Sequence, residues 1–256
     1  MKRYSIATAF LTLSLVTGFS APALAAQPSV VITHGAFADG SDWAKVISLL
    51  QDEGVQVQAV QNPLESLAGD VAATTRAIDN QPGDVVLVGH SWGGVVITEA
   101  GNHPKVSNLV YVAAYVPDSG QSVESLTHDQ PVAPGLASIV ADDHGWLRLT
   151  PQGVAEDFAQ DVPAGQARVM AATQGPIKAS AFGEAVSTAA WKTKPSWYIV
   201  GENDRMIPPE LQHTMANEIG AKVTSLPTSH VPQQSRPADV ARVILDAVSS
   251  IEASAE

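Results

Sequence analysis

From Ser29 onward, short apolar runs alternate with amphipathic stretches, and this alternation restricts the fold more than any other feature of the chain. Runs rich in β-branched residues at 29–33, 55–60, 85–88, 109–113, 197–200 and 222–226 predict strands. Between most of them lie helical patterns: Asp42 to Glu53 closed by Gly54, Leu67 to Asn80, Gly94 to Ala100 closed by Gly101, Pro209 to Ile219 closed by Gly220, and Pro237 to Ile251. Continuous rather than alternating apolar strands must be covered on both faces, and intervening helices do this when the strands run parallel. The expected fold is therefore α/β, with a mostly parallel six-stranded sheet and helices on both faces.

The first 26 residues stand outside this pattern. Lys2 and Arg3 precede the mostly apolar stretch Ile6 to Phe19, and Ala23-Leu24-Ala25 offers small residues at a cleavage site. Residues 1–26 are expected to be a secretory signal peptide, which makes the mature chain exported, periplasmic or extracellular. Thr12, Ser14, Thr17, Gly18 and Ser20 interrupt the stretch and argue against a membrane span. No later run approaches the ~20 apolar residues that a span requires.

Composition narrows the partners. The formal charge is −12, and it becomes −14 once Lys2 and Arg3 are removed with a segment that holds no acidic residue. Such a chain repels nucleic acid and anionic membrane, and no basic cluster overrides that. Cysteine is absent, so disulfides, a thiolate nucleophile and cysteine metal sites are excluded. No H-E-x-x-H or clustered His/Asp pattern suggests a metal, and no cofactor is expected. A small-molecule substrate is the expected partner, and nothing in the chain decides its oligomeric state.

The 256 residues suit one domain carrying an insertion. Residues 27–116 and 191–256 form the expected core. Residues 117–190 hold no apolar strand run, are rich in Pro, Gly and Ala, and are too long for a plain loop. They are expected to form a helical cap over the strand ends.

Parallel sheets carry their functional groups just beyond the carboxyl ends of their strands. After the third run stands Gly89-His90-Ser91-Trp92-Gly93, a G-x-S-x-G turn between strand and helix. Its glycines permit a turn tight enough to push a serine hydroxyl above the sheet, so Ser91 is the candidate nucleophile. A phosphate loop is a poor rival because the lysine of G-x-x-x-x-G-K-[ST] is missing. A developing oxyanion needs two N–H donors; Trp92 offers one, and Ala36, with Phe37 in reserve, offers the second from Thr33-His34-Gly35-Ala36-Phe37 after the first run. His34 is read as a loop-fixing residue rather than a base.

Gly201-Glu202-Asn203-Asp204 follows the fifth run and Pro227-Thr228-Ser229-His230 the sixth. A serine needs a base, and a histidine base works best when a carboxylate fixes its tautomer. His230 is the candidate base, the only histidine directly after a strand run other than His34 and the elbow's own His90. Asp204 is preferred as the acid over Asp118, which follows the fourth run, and over Glu202. Phe37, Trp92, Trp146, Phe158 and Phe182 are candidate walls of an apolar substrate pocket.

Together these residues resemble the α/β-hydrolase superfamily over nearly the whole mature chain. The stretches "HGAFADGSDWAKVISLL", "GHSWGGVVITEAGN" and "LVYVAAYVPDSGQSV" are similar to the branch that includes plant methylesterases, hydroxynitrile lyases and bacterial pyrethroid-hydrolase-like esterases. The resemblance implies a serine hydrolase cleaving carboxylic esters through an acyl-enzyme on Ser91, with small to medium hydrophobic or aromatic substrates. Two departures accompany it. Too few residues precede Val30 for the N-terminal hairpin that many members carry. Val231 stands where the lyases place a lysine after the histidine, which argues against lyase activity. A ligand-binding protein with little turnover, and cofactor-free perhydrolase or lactonase activity on the same triad, are the alternatives.

Overall fold

The structure, a computed structural model, describes residues 27–254, so the expected signal peptide lies outside the described residues. Nine strands follow in chain order: β1 Ser29–Thr33, β2 Val57–Val60, β3 Val85–His90, β4 Val106–Val112, β5 Ile139–Ala141, β6 Trp146–Leu149, β7 Ile177–Lys178, β8 Ser196–Gly201 and β9 Lys222–Leu226. The helices are α1 Ala44–Asp52, α2 Leu67–Asp79, α3 Trp92–Ala100, α4 Val123–Thr127, α5 Pro151–Gly153, α6 Ala164–Thr173, α7 Pro209–Glu218, α8 Pro232–Ser235 and α9 Pro237–Ser254.

Six of the strands form one sheet in the order β2-β1-β3-β4-β8-β9. Every adjacent pair in it is parallel. The alternation of side chains along each strand sends them into two separate cores. Val31, Val85, Leu87, Leu109, Tyr111, Tyr198 and Val200 face α2, α3, α7 and the insertion. Their neighbours Val30, Ile32, Val86, Val88, Val110, Val112, Trp197 and Ile199 face α1 and α9. Each fully buried side chain of this size contributes about 1.5–3 kcal/mol, which is why continuous apolar runs mark the central strands.

The insertion carries the expected helices and also a small antiparallel sheet, β5-β6-β7. Its strands are three, four and two residues long, too short to show a period in the sequence. The insertion is fastened to the core by backbone bonds, Lys178 N–H to the Leu64 carbonyl (2.9 Å) and Gly135 N–H to the Arg205 carbonyl (2.8 Å). Carboxylates extend this attachment, with Glu184 Oε2 accepting from Leu67 N–H at 2.9 Å and Glu99 Oε2 from Ser187 N–H at 2.6 Å. It thus lies over the carboxyl ends of the strands, where β3, β8 and β9 deliver their turns.

Candidate active site

Ser91 occupies the turn between β3 and α3 with φ 52° and ψ −119°, a left-handed conformation that costs a non-glycine residue free energy. The surrounding backbone imposes it. A Cβ on Gly35 would lie 2.7 Å from Ser91 Cβ, and one on Gly93 would collide with the Thr33 carbonyl oxygen. Only glycines at these positions let the β1 turn and the head of α3 close against each other.

The candidate acid and base come from neighbouring strand ends, β8 and β9. His230 Nδ1–H donates to Asp204 Oδ2 at 2.7 Å, and both residues are almost wholly buried. Asp204 accepts three further bonds: Met206 N–H (2.7 Å) and Ile207 N–H (3.0 Å) on Oδ1, and Gln212 Nε2 (2.7 Å) on Oδ2. Gln212, fully buried on α7, also accepts from Gly201 N–H at 3.1 Å and so ties the carboxylate to the end of β8. These four bonds fix the orientation of the carboxylate against the imidazole.

Ser91 and His230 face one cavity of about 320 Å³. Its walls are mostly apolar, with Phe37, Leu136, Ile139, Phe182 and Met206 prominent and Tyr115 supplying a phenol. Burial pushes the Tyr115 hydroxyl above its ordinary pKa, assisted by the charge of Asp204. Ala36 and Phe37 form part of the wall, and Trp92 begins α3. Among the described residues nothing accepts the Ala36, Phe37 or Trp92 N–H, so three backbone donors are free beside the serine.

The other sequence candidates are placed elsewhere. The Trp92 side chain lies beneath the cavity, fully buried, with its indole on Asp70 and Phe182 against its ring edge at 5.5 Å. Trp146 sits on β6 with the Lys178 ammonium 4.9 Å from its ring centre and does not line the cavity. Phe158 also lies outside the cavity wall, packed edge-on against the His230 imidazole at 5.0 Å. Asp118 is ion-paired with Lys192 on the surface, and Glu202 binds His213 at 3.0 Å. His34 is buried; its Nδ1–H donates to the Gly35 carbonyl at 2.8 Å, and Nε2 accepts from Asn62 N–H at 2.9 Å. Burial lowers its pKa, and the ring locks the turn after β1 as a neutral imidazole.

Two contributors escaped the sequence reading. His90 Nε2–H donates to the His230 carbonyl at 2.7 Å, and its ring lies 4.8 Å from the His230 ring. Burial, with the nearby His230 charge, holds its pKa well below the ordinary value, so it supports the candidate base without competing for a proton. Its position inside G-x-S-x-G was visible; its reach to the β9 turn was not. Gln212 gives no signal at all, since an α7 position meets Asp204 only through tertiary folding.

A parallel sheet with these three turns at its carboxyl edge defines an α/β hydrolase, and the chain belongs to the alpha/beta hydrolase family, whose model matches residues 30–243. Over 257 aligned positions it is 28% identical to a pyrethroid hydrolase of Sphingobium wenxiniae, covering 85% of this chain and 86% of that protein. A carbendazim-hydrolysing esterase of a Nocardioides species is 33% identical over 102 residues, which span 28% of this chain and 42% of that one. The crystal structure of a pyrethroid hydrolase from Sphingobium faniae has the same fold, with a TM-score of 0.75 at 22% identity over 88% of this chain and 98% of the other.

Proposed function

We propose that this protein is a serine esterase that hydrolyses small to medium, uncharged, hydrophobic or aromatic carboxylic esters. The observation that carries the proposal is the buried 2.7 Å bond from His230 to Asp204, with His230 and Ser91 opening onto the same apolar cavity. In this reading His230 takes the Ser91 proton as the hydroxyl attacks the ester carbonyl. The Ala36 and Trp92 N–H groups, with Phe37 adjacent, stabilise the oxyanion. His230 then protonates the leaving alkoxide, and water activated by the same imidazole releases the acid.

The cavity's size and walls support the substrate class. About 320 Å³ admits a medium-sized ligand, and Phe37 and Phe182 offer aromatic faces to it. The names of the similar proteins, a pyrethroid hydrolase and a carbendazim-hydrolysing esterase, agree with an ester hydrolase. Residues 1–26 carry a secretion signal in this reading, so the esterase acts outside the cytoplasm.

The test is hydrolysis of p-nitrophenyl esters from acetate to palmitate by the chain lacking residues 1–26 and by its Ser91→Ala variant. Turnover with a short- to medium-chain optimum that vanishes in Ser91→Ala supports the proposal. No turnover on any ester, with hydrophobic ligands still bound, favours a binding protein.

A further inference from the structure

Asp204 and His230 sit at one edge of the sheet. They follow β8 and β9, and β9 is an edge strand with no neighbour beyond it. The insertion supplies what the sheet lacks there.

Its residues 154–158 form a π-helical turn, a rare wide turn that recurs at functional sites because it re-aims the side chains it carries. Here it carries two consecutive, almost wholly buried side chains, Asp157 to the residue after Asp204 and Phe158 to His230. Asp157 Oδ1 accepts from Arg205 Nε at 2.7 Å, and Arg205 directly follows Asp204. The other oxygen of Asp157 accepts from Ser138 Oγ at 2.8 Å. Burial works against this carboxylate, but the bonds from Arg205 and Ser138 prevail and hold its pKa below the ordinary value. Phe158 presses its ring edge to face against His230, while His90 packs on the same imidazole from within the core.

The chain leaving the turn continues the pattern. Gln160 Nε2 donates to the carbonyl of Asn203, which directly precedes Asp204, at 2.7 Å. Asp161 Oδ2 accepts from the N–H of Ser229, which directly precedes His230, at 2.9 Å. Both neighbours of the acid and the near neighbour of the base are therefore held from the insertion. None of Asp157, Phe158, Gln160 or Asp161 lines the cavity, so contact with substrate does not account for them.

We infer that residues 157–161 are a positioning clasp for the Asp204–His230 pair, making the insertion a working part of the acid–base machinery as well as a cover over the cavity. The inference rests on the esterase reading for its kinetic consequence, and on geometry alone for its structural one. A base displaced by a fraction of an ångström keeps its chemistry but loses alignment with the serine, which lowers kcat and spares KM.

The experiment compares Phe158→Leu, Asp161→Ala and Asp161→Asn with wild type in two readouts. These are kcat and KM on p-nitrophenyl butyrate, and the downfield proton resonance of the His230 Nδ1–H in its bond to Asp204. The expected result is that Phe158→Leu and Asp161→Ala each lower kcat about tenfold with KM within about twofold, and shift or broaden the resonance. Asp161→Asn, which keeps an acceptor oxygen for Ser229, returns kcat to within about twofold of wild type. Asp161 is exposed, so its variants fold even if Phe158→Leu does not. Folded variants with unchanged kcat and an unchanged resonance overturn the inference, as does a loss confined to KM. A wild type without turnover whose resonance still responds to these substitutions retains the clasp and removes the esterase reading.

Discussion

The indole Nε1–H of Trp92 donates to Oδ2 of Asp70 at 2.7 Å, tying the residue after the candidate nucleophile to the middle of the core. The other oxygen of Asp70 accepts from Leu64 N–H at 2.8 Å, in a turn where Leu64 adopts φ 59°. Leu64 in turn receives the β7 strand of the insertion through its carbonyl. One carboxylate thus connects the elbow, a strained turn and the insertion.

Asp70 has no solvent exposure, and burial raises its carboxyl pKa against the lowering effect of the Trp92 and Leu64 bonds. Asp70→Ala leaves two buried donors without acceptors, at about 1–3 kcal/mol each. Urea denaturation of Asp70→Ala is expected to show a loss of about 2–6 kcal/mol, with ester turnover reduced at temperatures where the protein remains folded. Stability and kcat equal to wild type would remove Asp70 from this role.

Asp42 gives the stability a pH dependence. Burial, then the charge of Asp39, pushes its carboxyl up to about 7, against a bond from Gln234. Unfolded, the same group titrates near ~4. Between those values folding takes up a proton, so this group's effect on stability is most favourable at low pH and worsens as pH rises from about 4 to 7. Melting temperatures of wild type should fall across this interval more steeply than those of Asp42→Asn. Parallel curves for the two would contradict it.

Phe182 shapes one wall of the cavity while leaning on Trp92. Phe182→Ala is expected to move the best p-nitrophenyl ester to a chain longer by about two carbons, since the removed ring volume becomes acyl space. An unchanged chain-length profile would place the acyl group elsewhere.

Much of this architecture is legible in the sequence because the central strands are buried on both faces. β3 is apolar throughout Val85–Val88, and its turn carries a glycine pattern that sterics require. Ser91, Asp204 and His230 stand out in the sequence as candidates because each lies within four residues of a strand's end. Of the aromatic candidates, Phe37 and Phe182 line the cavity while Trp92, Trp146 and Phe158 do not, because an aromatic side chain carries no local sign of what it faces. Trp146 meets Lys178, and Phe158 meets His230, across 32 and 72 residues of sequence respectively. Asp70, Gln212 and Asp157 are silent for a related reason: their partners Trp92, Asp204 and Arg205 arrive from other elements.

In the proposed mechanism His230, held by Asp204, activates Ser91. Intact-protein and peptide mass spectrometry after a limiting dose of a fluorophosphonate tests it most directly, because the reagent adds covalently to an activated serine and records the site. The expected result is one adduct per chain, located on Ser91, formed at least about a hundredfold more slowly in His230→Ala. An adduct on another residue, or labelling of Ser91 at an unchanged rate in His230→Ala, would contradict it.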